Sequence, residues 1–158
     1  MAINEVLAKL REGATPSAVE VGHLSGLSKP DAADFRAAWP ELPAERRREI
    51  LAVAIRLAEN DVQMDFGTVF KACLADPDAA VRAAAIEGLW EDEEFRTADN
   101  LARMLREDPA ETVREAAALG LARFATMVEE GTLYAPSAQR VRDALHAAMA
   151  DLDRKSVV

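Results

Sequence analysis

Apolar residues recur at helical spacing along nearly the whole chain, and the long Val/Ile/Thr alternation expected of strands is absent. In INEVLAKLRE, residues 3–12, Ile3, Val6, Leu7 and Leu10 share one face, and Gly13 ends the helix. Ser17 followed by Glu20 has capping-box spacing and opens a short helix with Val21 and Leu24 inward, although Gly22 and Gly26 weaken it. In PDAADFRAAWPEL, residues 30–42, Pro30 opens a helix, Phe35 and Trp39 fall on one side, and Pro40 stops or kinks it. The strongest pattern runs from Pro43 to Glu59, with Ile50, Leu51, Val53, Ala54, Leu57 and Ala58 as a broad apolar face. Met64 to Leu74 predicts a helix with Val69, Phe70, Cys73 and Leu74 inward. A DP turn then leads into a helix reaching Trp90. After the polar turn EDEE, residues 98–106 place Leu101, Met104 and Leu105 on one face. A second DP turn starts a helix to Val128, and EEGTLYAPSAQ is a longer connection. Residues 137–150 form the last clear helix, with Val141, Leu145, Ala148 and Met149 inward, and DLDRKSVV has no clear assignment. Short connections favour antiparallel neighbours, so the expected class is all-α.

The two DP segments are copies. Residues 76–90 and 108–122 are 32 positions apart and agree at eight of fifteen places. The shared residues are Asp76/Asp108, Pro77/Pro109, Val81/Val113, Arg82/Arg114, two alanines, Gly88/Gly120 and Leu89/Leu121. The pattern predicts Asp76 or Asp108 as a cap with proline as first helical residue, and Glu111 completing a capping box after Asp108. Asp78 is an equal candidate cap in the first copy. Val81, Ala84, Ala85 and Leu89 make one inward stripe, and Val113, Ala116, Ala117 and Leu121 the other. Gly88 and Gly120 each cost about 1 kcal/mol of helix propensity relative to alanine, so each marks a tight crossing with a neighbour.

DPDAAVRAAAIEGL and DPAETVREAAALGL resemble the HEAT-type helical repeat, although the period is short for that class. SGLS…DFRAAWPELPAERRREIL is similar to bacterial HEAT-repeat proteins to which no activity is assigned. The resemblance implies an all-α, right-handed alpha-alpha superhelix, a HEAT/armadillo-like solenoid of antiparallel helix pairs. It implies that Arg82 and Arg114 reach acidic groups at the turns, including Asp76 and Asp108, as a ladder between units. PAERRREILAVAI is a looser copy with LP in place of DP, in which Arg48 takes the place of Arg82. The expected organisation is a single domain over 1–158, with an atypical N-terminal cap at 1–30 and repeats at 31–60, 64–90 and 98–128. Phe35, Trp39 and Leu42 seal the cap side. Residues 137–158 form a partial or terminal repeat. DRKSVV has the rhythm of DPDAAV, with Asp153 matching Asp76 and Val158 matching Val81. Two readings stand there: a turn leading to further repeats of a longer chain, or a frayed polar tail.

Composition narrows function. Half the residues are hydrophobic but only 5% are aromatic, so much of the core is alanine and helices approach closely. The net charge of −9 disfavours a phosphate backbone or an anionic membrane as partner. The N-terminus MAINEVLAKLREG has no signal-peptide pattern and no apolar run is long enough to span a bilayer, so a bacterial cytoplasm is the expected compartment.

Candidate chemistry is sparse. His23 and His146 lack the partners of a zinc motif and read as surface or packing residues. Cys73, with Lys71 but no histidine nearby, reads as a buried thiol rather than a nucleophile. Arg46, Arg47 and Arg48 form the one basic cluster, but they splay around a helix and are flanked by Glu45 and Glu49. No catalytic, metal or cofactor residue is therefore assigned, and no cofactor or nucleic-acid partner is expected. The candidate partner-binding residues are Trp90, the acidic run Glu91, Asp92, Glu93 and Glu94, and Tyr134. Trp90 either packs under the following loop or stays exposed as an anchor. The expected function is a non-enzymatic scaffold or adaptor that binds a protein along one face of the helical stack. The alternative is a structural or regulatory module of a larger assembly. Less favoured are an enzyme-assisting module like the HEAT-like repeats that help attach bilins to light-harvesting proteins, and a nucleic-acid-binding helical repeat.

Overall fold

The computed structural model describes residues 1–156, which are all-helical apart from turns. The helices are α1 (Ile3–Glu12), α2 (Ala18–Gly22), α3 (Lys29–Ala38), α4 (Ala44–Asn60), α5 (Gly67–Cys73), α6 (Ala79–Gly88), α7 (Phe95–Glu107), α8 (Glu111–Glu130) and α9 (Ala135–Ser156), with a 3-10 turn at Trp39–Glu41. The chain packs as two compact units that divide between Leu89 and Trp90. That boundary separates the two DP copies.

In the first unit, α1 buries the expected Ile3, Val6, Leu7 and Leu10. Ser17 and Glu20 close the expected capping box at α2. Phe35 and Trp39 meet with ring centroids 4.8 Å apart, and both are buried with Leu42. Burying a large apolar side chain contributes about 1.5–3 kcal/mol, so these three anchor the start of the chain. Helix α6 packs against both α4 and α5.

Of the two candidate caps in the first DP copy, Asp78 and not Asp76 is the N-cap, and its carboxylate accepts from Val81 N at 3.0 Å. In the second copy Ala110 is the N-cap and Glu111 begins the helix, so no capping box joins Asp108 to Glu111. Pro77 and Pro109 consequently precede the caps. Asp76 and Asp108 instead brace their own turns, each accepting the backbone N–H two residues on at 2.9 Å. This choice leaves Asp76 free to turn inward.

The triple arginine explains the inward turn. Arg47 is the fourth residue of α4, as Arg82 is of α6 and Arg114 of α8. Arg47 Nη1 donates to Leu42 O at 2.7 Å, Arg82 Nη1 to Asp76 O at 2.9 Å, and Arg114 Nη1 to Asp108 O at 2.7 Å. The buried positions agree with this register: Ile50, Ala85 and Ala117 are equivalent, as are Ala54, Leu89 and Leu121. Arg47 therefore takes the place of Arg82, a one-residue correction to the assignment of Arg48. Arg82 and Arg114 reach the carbonyls of their own turns, and Arg47 also pairs with the Asp76 carboxylate.

Gly88 is a close crossing. A Cβ there would lie 2.5 Å from the Phe70 ring, so only glycine admits this approach of α6 to α5.

In the second unit α7, α8 and α9 pack pairwise. Arg123, late in α8, bonds to Asp92 just before α7, and Arg140, early in α9, pairs with Asp99, early in α7. Thus α8 runs opposite to α7, and α7 and α9 run the same way. Helix α8 ends at Gly131, whose φ of 71° is the left-handed cap position. Val113, Ala117, Leu121 and Phe124 are the buried stripe of α8. Helix α9 is longer than its pattern. It continues through Asp153 to Ser156, so Asp153 sits in a helix and not in a turn like that of Asp76. The proposed match of Val158 to Val81 lies outside the described residues. Of the residues expected inward on α9, Val141 is buried, Leu145 and Ala148 are half-buried and Met149 is exposed.

Candidate interaction surface

The most exposed aromatic surface of the second unit lies where α7 and α9 begin. Phe95 opens α7, and Tyr134 directly precedes α9. Leu133, buried beside it, pins the chain and leaves Tyr134 facing outward. The rings of Phe95 and Tyr134 meet at a centroid distance of 5.1 Å and an interplanar angle of 59°. Even so, Phe95 remains 40% and Tyr134 57% exposed. The Arg96 guanidinium carbon stands 5.7 Å from the Phe95 ring centre, adding a cation–π contact. Arg140 Nη1 pairs with Asp99 Oδ2 at 2.8 Å, holding the two helix starts together.

The acidic run borders this pair. Glu91, Glu93 and Glu94 are exposed, while Asp92 is drawn in because Arg123 bonds to its carbonyl. Burial pushes the Arg123 pKa down, and the neighbouring Asp92, Glu93 and Glu91 carboxylates oppose that shift. One cation thus fixes the backbone of the run while its other carboxylates face solvent. Trp90 is 54% exposed and is not packed away under the following loop. Trp90 makes no ring contact among the described residues, so the structure joins Tyr134 to Phe95 and not to Trp90.

Phe95, Arg96 and Arg123 are absent from the sequence-derived set. The pattern starts this helix at Ala98 and so leaves Phe95 in a turn. The signal that could have found it is a large apolar residue placed between an acidic run and a helix, off the inward stripe.

The other candidates have internal roles. Arg46 donates to the carbonyls of Gly13 and Ala14, Arg47 to Asp76 and Leu42, and Arg48 to both oxygens of Asp78. The cluster thereby ties two segments to α4: Arg46 holds the turn after α1, and Arg47 and Arg48 hold the turn that opens α6. Burial, reinforced by the Asp76 carboxylate, pushes the Cys73 pKa well up, so the thiolate a nucleophile needs is suppressed. His23 and His146 are exposed. Among the described residues no three His, Cys, Asp or Glu side chains are grouped to hold a metal ion. No described helix is long and apolar enough to cross a membrane.

Comparison with curated proteins and with solved structures finds no match. A family model for HEAT repeats matches residues 68–158, more than half of the chain and spanning both DP copies. The chain belongs to the HEAT-repeat family.

Proposed function

We propose that this chain is a non-enzymatic protein-interaction module whose second unit seats a positively charged segment of a partner protein. HEAT repeats commonly serve as scaffolds for protein interaction, and repeat folds offer broad helical faces for it. The carrying observation is the exposed Phe95–Tyr134 ring pair beside the acidic run. Rings that stay exposed after stacking on each other retain apolar area that a partner can cover. Tyrosine and tryptophan supply most interface energy where they can be desolvated, and charge at the rim steers the encounter. A basic segment meets both conditions: its cation can lie over Tyr134, and Glu91, Glu93 and Glu94 complement the rest. Trp90 is a flanking anchor in this reading.

The test is affinity capture from native cells with the wild-type chain and a Phe95→Ala/Tyr134→Ala variant in parallel, compared by mass spectrometry. The reading expects a partner enriched by the wild type, lost with the variant and weakened by added salt. Identical capture by both proteins would reject this surface.

A further inference from the structure

A second surface lies away from the ring pair, in the groove between α8 and α9. It is open, with a volume of about 570 Å³. Its floor is small and apolar, with Ala118 from α8 facing Ala144 and Ala148 from α9. Leu152, at its edge, is 66% exposed.

The first unit shows what fills such a groove. There α4 and α5 hold α6, a helix that packs on both. Its entry is fixed by charge. Arg47 Nε lies 3.1 Å from Asp76 Oδ2, and Nη2 donates to Oδ1 at 3.2 Å. Asp76 stands two residues ahead of the α6 N-cap. Helix α8 repeats this arrangement, but among the described residues no carboxylate is hydrogen-bonded to Arg114, whose charge reaches the nearby Asp151. Arg114 occupies the place of Arg47, makes the same Nη1 bond to the carbonyl of its preceding turn, and lines the groove. The Asp151 carboxylate nearby is held by Lys155 at 3.2 Å and Arg154 at 3.3 Å.

The local charge agrees. In a chain of net charge −9, the groove carries Arg106, Arg114, Arg154 and Lys155 against Glu111, Glu115 and Asp151. The sign is reversed from the rest of the molecule. A second copy, acidic overall, is repelled at long range, whereas an acidic helix start is attracted. The alanine floor admits a helix at close approach.

We propose that the α8–α9 groove docks an amphipathic helix of a partner protein, entered by an aspartate just ahead of the first turn, with Arg114 as its receptor. The helix lies as α6 lies on α4 and α5, its small apolar face on Ala118 and Ala148 and its acid on the Arg114 guanidinium. This surface is independent of the Phe95–Tyr134 pair.

The probe is a capped peptide of sequence LADPDAAVRAAAIEGL, residues 74–89 of this chain and its own example of such a helix. It is added to the isotope-labelled full chain and followed by NMR amide shifts. The expected shifts fall at Arg114, Ala118, Ala148 and Leu152. Arg114→Gln in the protein, or asparagine for the leading aspartate in the peptide, raises Kd about tenfold. Leu152→Asp does the same, Tyr134→Ala leaves Kd unchanged, and circular dichroism confirms that each variant is folded. Shifts confined to other surfaces, no shifts at millimolar peptide, or equal affinity for the asparagine peptide would overturn the proposal. Peptide-independent shifts in the groove that scale with protein concentration would make a second copy the occupant, and would also overturn it.

Discussion

Arg47 and Asp76 pair in the interior of the first unit, each 6% exposed, with Trp39 Nε1 donating to the same carboxylate at 2.9 Å. One carboxylate thereby receives bonds from three places: the turn after α3, the start of α4, and the turn that opens α6. A buried charge of this kind is tolerated because every oxygen has donors.

Removing one partner exposes the imbalance. Arg47→Ala or Asp76→Ala is expected to destabilise by about 3–5 kcal/mol, because each strands a buried charge. The double variant should lose much less than the sum. Urea unfolding of the four proteins as a cycle measures this, and additive losses would show that the pair is not coupled.

Asp78 gives a pH dependence. Its pKa is held down from 3.8 to about 2, chiefly by the two bonds from Arg48 and further by Val81 N–H, against desolvation that raises it. A lowered folded-state pKa contributes stability that is present above the unfolded value of about 4 and is lost as pH falls through about 2. Because the Arg48 side chain is half exposed, screening limits the contribution to about 1 kcal/mol. Thermal unfolding between pH 5 and pH 2 should therefore fall less steeply in Asp78→Asn than in the wild type, the test range being about two units on the acid side. Parallel profiles would remove Asp78 as a contributor.

Gly88 sets two effects against each other. Alanine would add about 1 kcal/mol of helix propensity, but its Cβ would meet the Phe70 ring at 2.5 Å. Overpacking of a core costs about 1–3 kcal/mol, so Gly88→Ala should lower Tm. Phe70→Leu in the same protein should recover part of the loss. A Tm for Gly88→Ala at or above wild type would mean that the crossing relaxes freely.

Much of this was legible in residues alone. Periodicity placed the first helix and the Ser17–Glu20 box because those signals are local and nothing competes with them. The DP copies located α6 and α8, but not their caps. Asp76 and Asp78 are both competent acceptors, and the distant Trp39 and Arg47 decide which turns inward. Three consecutive arginines concealed the register in the same way. Only the helix start at Ala44 shows that Arg47 is the one equivalent to Arg82. Tyr134 was singled out from composition, yet its neighbour Phe95 comes from a different helix and no periodicity links them. The length of α9 was missed because Asp151, Arg154 and Lys155 look like a polar tail, whereas as i,i+3 and i,i+4 pairs they support another helical turn.

Tyr134→Ala and Phe95→Ala should change stability little beyond the loss of their mutual contact, about 0.5–1.5 kcal/mol, since both rings are largely outside the core. Their effect belongs to binding. The most direct measurement of the central claim is hydrogen–deuterium exchange of the full chain alone and with its captured basic partner. The account predicts new protection at residues 90–96 and 131–135, absent in the Phe95→Ala/Tyr134→Ala variant. Protection confined to the first unit, with both of those segments unchanged, would contradict it.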